Sequence, residues 1–169
     1  MNDALQRAID LRAAGRAEEA IPLLADLLGH EPDNGEILCQ LAWAHDHLGR
    51  EREAVPYYEQ ALRCPLNDEH RTGALLGLGS TYRTLGRYAE AKETLGQGMR
   101  EYPDRKEFGV FYAMALYNLG EHAEAMRLLL TALANTSEDE GIRAYSRAIG
   151  FYADKLDQVW DEGGQQSPN

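Results

Sequence analysis

The 169-residue chain has only two cysteines, Cys39 and Cys64, at no spacing that suits a metal site or a redox pair. Reduced thiols and a cytoplasmic location are the resulting expectation. Positive charge is also scarce. Seventeen Lys and Arg face 28 Asp and Glu, a formal net charge of −11 and a pI near 4.9. Nucleic acid and anionic membrane surfaces need a basic footprint, so neither is an expected partner. No apolar run approaches the length of a membrane span. The opening residues, Met1 to Arg7, lack the basic flank and apolar stretch of a signal peptide.

The chemistry of catalysis is equally thin. The glycines fall at turns with a period near the repeat length described below, so no phosphate-cradling loop is formed. Gly77-Leu-Gly79-Ser80 lies within a helix by register and follows no strand. There is no G-x-S-x-G nucleophile elbow. His45-Asp46-His47 invites a metal reading with Cys39 nearby, but residues two apart on a helix point to different faces. No metal, no cofactor and no enzymatic activity are expected. Hydrophobic content of 44% with 27% charged residues is that of a folded chain, not a disordered one.

What the chain does have is repetition. Gly15-Arg-Ala-Glu-Glu19-Ala20, Gly49-Arg-Glu-Arg-Glu53-Ala54, Gly86-Arg-Tyr-Ala-Glu90-Ala91 and Gly120-Glu-His-Ala-Glu124-Ala125 all read G-x-x-x-E-A, and their glycines are 34, 37 and 34 residues apart. Self-similarity at such a period marks a stacked repeat architecture. The register gives four units of two helices, residues 1–34, 35–71, 72–105 and 106–139, each turning at its phrase glycine. Glycine there supplies the positive φ that stops a helix, and the phrase Glu meets the positive end of the next helix. Ala8, Ala42, Gly79 and Ala113 face Ala20, Ala54, Ala91 and Ala125, small residues that let paired helices approach closely.

The second unit is three residues longer, and its Cys64-Pro-Leu-Asn-Asp68 stretch predicts a longer connection with Asp68 as the next helix cap. Pro22 and Pro56 each remove one helical hydrogen bond, so their helices are expected to start late or to bend. Beyond the fourth unit, Ile142, Tyr145, Ile149, Tyr152, Leu156 and Val159 or Trp160 mark one face of a capping helix over 140–160. Residues 1–160 then form one domain, and 161–169 a frayed tail.

The third unit carries the fullest pattern: Leu75, Leu78-Gly79, Tyr82, Gly86, Ala91, Leu95, Gly98 and Pro103. These offsets resemble the tetratricopeptide repeat. The resemblance implies an all-α, right-handed superhelical solenoid of four helix-turn-helix repeats plus a C-terminal capping helix. Residues 144–160 are similar, more weakly, to the closing helix of the small prokaryotic group 5 of this family.

In that family the first helices of successive repeats line a concave surface that commonly binds a peptide. Carrying the register over places Gln40, Trp43, Asp46 and His47 of the second unit on that surface. Leu76, Ser80 and Arg83 of the third and Phe111, Met114, Tyr117 and Asn118 of the fourth join them. The family's carboxylate clamp for chaperone tails needs Lys, Asn and Arg in slots that here hold Leu5, Ile9, Gly73 and Gly77, which argues against that ligand. Gly73, Gly77 and Ser80 between aromatics predict a recess for an apolar anchor. Arg143 and Arg147, with Arg83 between, are candidates for a partner's carboxylates; ordinary solvated faces explain them as well. The expected function is a non-enzymatic adaptor binding a protein or peptide segment. Self-association as a homo-oligomer, or sensing of a small ligand, are the alternatives.

Overall fold

The computed structural model describes residues 2–160 and 166–167. It divides into two compact units, Met1–Asp104 and Arg105–Asn169. The first holds three helical pairs: α1 (Asn2–Ala13) with α2 (Ala17–His30), α3 (Gly35–His47) with α4 (Glu51–Ala61), and α5 (Asp68–Thr84) with α6 (Tyr88–Glu101). Successive helices pack on one another, and α1–α3 and α3–α5 also touch, so the three first helices form a row. The second unit holds the fourth pair, α7 (Glu107–Asn118) and α8 (His122–Thr136), followed by α9 (Glu140–Ala144) and α10 (Ser146–Tyr152).

Each pair turns where the repeated phrase predicts. Gly15, Gly49, Gly86 and Gly120 adopt φ of 76°, 68°, 75° and 81°, the only left-handed backbone among the described residues. The following N–H groups, of Arg16, Arg50, Arg87 and Glu121, donate back to the carbonyls of Leu11, His45, Tyr82 and Leu116 at 2.8–2.9 Å. The glycine N–H groups donate to Arg12, Asp46, Arg83 and Tyr117 at 3.0–3.1 Å. This is the Schellman closure, which uses carbonyls that a helix end otherwise leaves unpaired. Repeating the phrase repeats the corner.

At the other end of the pairs, Asn34 accepts from the N–H groups of Glu36 and Ile37 at 3.1 and 3.2 Å. Asn67 does the same for His70 at 2.8 Å, so the cap of α5 is Asn67, not Asp68. Asp68 is the first helical residue, where its charge still meets the helix dipole. α2 and α4 begin at Ala17 and Glu51 and run through Pro22 and Pro56. Neither starts late, because one missing hydrogen bond costs less than the packing that a whole turn makes.

The small residues lie where helices touch. Ala8, Ala42, Ala113, Ala20, Ala54 and Ala91 are fully buried and Ala125 nearly so. At Gly79 an added Cβ would sit 2.4 Å from Leu95 Cγ. Leu24, Leu27, Ile37 and Leu41 fill one cluster with Ala17, Ala20 and Ala44, joining the first pair to the second. Burying each such aliphatic side chain stabilises the fold by about 1.5–3 kcal/mol. In the second unit the core is smaller: Ala113, Leu116 and Ala125, flanked by Tyr112, Leu128 and Leu129.

The closing helix departs from expectation. The chain over 140–160 is two short helices broken at Tyr145, whose φ and ψ are −108° and 6°. Its N–H bonds to Ile142 at 3.1 Å, a tightened last turn. Gly141 and Gly150 weaken continuous helix here. Helix α10 packs on α8, and Ala153 is buried. The anticipated apolar face is instead largely open, with Tyr145 69%, Tyr152 47% and Leu156 53% exposed. Val159–Trp160 form a two-residue strand, β1, antiparallel to Gln166–Ser167, β2. The remainder of the anticipated tail, 161–165 and 168–169, lies outside the described residues.

Candidate protein-binding face

In the first unit the row of first helices presents Trp43, and the chain's own side chains surround it. The Arg12 guanidinium of α1 lies 5.3 Å from the ring centroid. From α5, the His70 ring stacks on it at 5.7 Å and 20°. Beneath the indole is Gly73, where an added Cβ would approach Trp43 Cζ2 to 2.7 Å. Gly77 is backed in the same way by the Tyr58 ring, whose hydroxyl would lie 2.4 Å from such a Cβ. The recess anticipated at Gly73 and Gly77 is therefore filled from within. The glycines are small because Trp43 and Tyr58 pack against them.

Two polar groups of the anticipated face are likewise engaged. Gln40 is buried and accepts a hydrogen bond from Arg12 Nε at 3.0 Å. Asp46 is half-buried and accepts from the Tyr58 hydroxyl at 2.6 Å and from Thr81 Oγ1 at 3.0 Å. One carboxylate thus ties α3 to α4 and α5. Burial pushes the Asp46 carboxyl above the usual range, against the two hydroxyls, which favour its charged form. Burial also pushes the Tyr58 phenol well up, helped by the neighbouring carboxylate. Leu76, Ser80 and Arg83 are half-buried on α5, while His47 is exposed at the end of α3.

His45 fills the slot the repeat gives to a packed ring. It stacks on Tyr57 at 5.4 Å and 14°, and burial holds its imidazole below the ordinary value. Cys39 is buried, and the same cause pushes its thiol up to about 12. Among the described residues no three His, Cys, Asp or Glu side chains gather to hold a metal.

The second unit offers a more open surface. On α7, Phe111 is half-buried, Met114 is 38% and Tyr117 64% exposed, and Asn118 is exposed. Tyr117 rests against His122 at 4.8 Å. Arg143 is exposed and lies 3.7 Å from Glu138, and Arg147 is exposed. Arg83 belongs to the first unit, these two arginines to the second. Sequence reasoning did not single out Tyr58, His70 or Thr81 as determinants of this face. Their roles depend on contacts 12 to 35 residues apart along the chain, and only the register of Tyr58 hinted at packing.

Comparison with known proteins covers most of the chain. A family profile described as tetratrico peptide repeat, of the group numbered 5, matches residues 35–156. The Drosophila melanogaster protein O-mannosyl-transferase Tmtc3 is 26% identical over 132 residues, which is 77% of this chain and 14% of that protein. The chain thus spans about a seventh of its curated relative. Among solved structures, MamA (MSR-1) is 21% identical with a TM-score of 0.65, over 74% of this chain and 70% of that one. A Podospora anserina putative kinesin light chain with nearly identical TPR-like repeats is 22% identical with a TM-score of 0.65, over 90% and 84%. These likenesses are likenesses of fold. With four glycine-closed helical pairs in the predicted register, the chain belongs to the tetratricopeptide repeat family, whose fold is a generic protein-interaction module.

Proposed function

We propose that this protein is a non-enzymatic adaptor, cytoplasmic, that binds a protein or peptide segment through side chains of its first helices. The observation that carries the reading is on α7, where Met114 and Tyr117 stand exposed one turn apart. Large apolar side chains left open at helical spacing suit an anchor from a partner's helix or extended segment. Within the first unit, Trp43 is held in place by Arg12, His70 and Gly73. A net charge of −11 disfavours nucleic acid and anionic membranes as partners.

The test is capture of partners by the immobilised chain, with identification by mass, repeated with Met114→Ala/Tyr117→Ala. Loss of a specific partner with unchanged helical circular dichroism supports the reading. Retention of the same partners by the double variant overturns it.

A second reading is favoured by one cluster. Phe151, Tyr152 and Trp160 meet edge to face at 5.1 and 5.5 Å yet are 54%, 47% and 43% exposed. Rings that expose this much surface suit self-association. Light scattering across a concentration series separates the two, because an adaptor without its ligand stays monomeric.

A further inference from the structure

The two junctions between repeats in the first unit are internal copies of one another, and they differ in charge. At the first, Arg50 at the start of α4 reaches back to Glu18 in the first turn of α2, with Nη2 at 2.8 Å from one carboxylate oxygen and 3.1 Å from the other. The phrase register maps Arg50 onto Arg87 and Glu18 onto Arg52. It also maps Leu48 onto Leu85 and Ile21 onto Val55. The second junction therefore keeps the apolar pair and the arginine, but an arginine replaces the acid that closed the first.

Two guanidinium groups cannot bridge as Arg50 and Glu18 do. In their place lies an open cleft of about 320 Å³ lined by Arg52, Val55, Leu85 and Arg87. Arg52 is exposed and pairs with no carboxylate among the described residues. Arg87 is fixed in orientation. Its Nε and Nη2 donate to the Glu90 carboxylate, and its guanidinium stacks 4.2 Å from the Tyr82 ring centroid. Nη1 remains as the donor not used by Glu90. Glu90 holds Arg87, and Glu59, which accepts from the Tyr82 hydroxyl at 2.6 Å, also acts on it.

We infer that this cleft binds a carboxylate carried on a short apolar stem, such as the chain-terminal leucine of a peptide partner. Arg52 supplies paired N–H donors in the plane that a carboxylate accepts, and Arg87 adds Nη1. Val55 and Leu85 supply the apolar floor for the stem. The site lies on the α4 and α6 side, involves none of the residues assigned to the first-helix face, and stands or falls independently of it.

The test is a backbone amide chemical-shift titration of the full chain with N-acetyl-leucine, N-acetyl-leucinamide and inorganic phosphate as probes. N-acetyl-leucine is expected to shift the amides of Arg52, Val55, Leu85 and Arg87 saturably, and to weaken as salt rises. The neutral amide should bind at least tenfold more weakly. Arg52→Glu restores the pairing of the first junction and should abolish the shifts, while Arg52→Gln should weaken binding about tenfold with the fold intact. Absence of saturable shifts at these amides in the wild-type chain overturns the inference. So does equal response to the amide, or a response to phosphate alone.

Discussion

At the scale of single residues, Asp46 is the most informative. Its carboxylate accepts from Tyr58 and Thr81, so it organises three helices, yet burial raises its carboxyl above the ordinary value. A carboxyl raised on folding binds its proton more tightly in the native state. Its contribution is therefore fully present below the unfolded value and lost as pH rises through the folded one. The stability of the native chain relative to Asp46→Asn should fall as pH rises just above the usual carboxylate range. Urea denaturation of both proteins between pH 3 and 7 measures this. Tyr58→Phe removes a hydroxyl bonded to that carboxylate and should cost roughly 1–3 kcal/mol, read from the urea midpoint. The two thiols should separate as well. Cys39 is buried with its thiol pushed up to about 12, whereas Cys64 is partly accessible. Labelling of the native protein at pH 8 should modify Cys64 first, and simultaneous modification would contradict the packing around Cys39.

At the scale of the element, glycines separate into three kinds. Gly15, Gly49, Gly86 and Gly120 sit at positive φ with open space around them, so alanine there should cost about 1–2 kcal/mol from backbone strain alone. Gly79 lies inside α5 against the buried Leu95, and Gly79→Ala should cost about 1–3 kcal/mol by overpacking despite alanine's better helix propensity. Gly29 lies in α2 with nothing within 4 Å, and Gly29→Ala should stabilise by up to about 1 kcal/mol. Thermal unfolding of the three variants tests the ordering. The phrase glycines were legible because each ends an apolar period and precedes an acid. The break at Tyr145 was not. An apolar stripe at helical spacing runs from Ile142 to Trp160, and nothing local shows that its rings would meet one another and solvent instead of a core.

At the scale of the molecule, a repeat protein is held by contacts between neighbours, so protection should follow the number of neighbours. In the first unit α3 packs on α1, α2, α4 and α5 and carries the most buried residues, while α1 packs only on α2 and α3. Hydrogen exchange should leave the α3 amides protected roughly a hundredfold over those of α1. Uniform exchange across the first unit would show that it opens as one body. The face anticipated on the first helices was legible in part. Trp43 and Asp46 of α3 meet His70, Gly73 and Thr81 of α5, but a register reports only which side a residue is on. It does not report whether a neighbour already fills the space, as Trp43 and Tyr58 do at Gly73 and Gly77.

The sequence by itself determined the four helical pairs, their corners and their small-residue seams. Those depend on backbone conformation and on spacing within a few turns, which each phrase carries locally. Only the tertiary structure decided what the inner side chains do: which glycine is a seat for the chain's own ring, which carboxylate is shared by three helices, and which junction lacks its acid. Such facts require side chains from successive repeats to meet, and a one-dimensional pattern carries no distances between them.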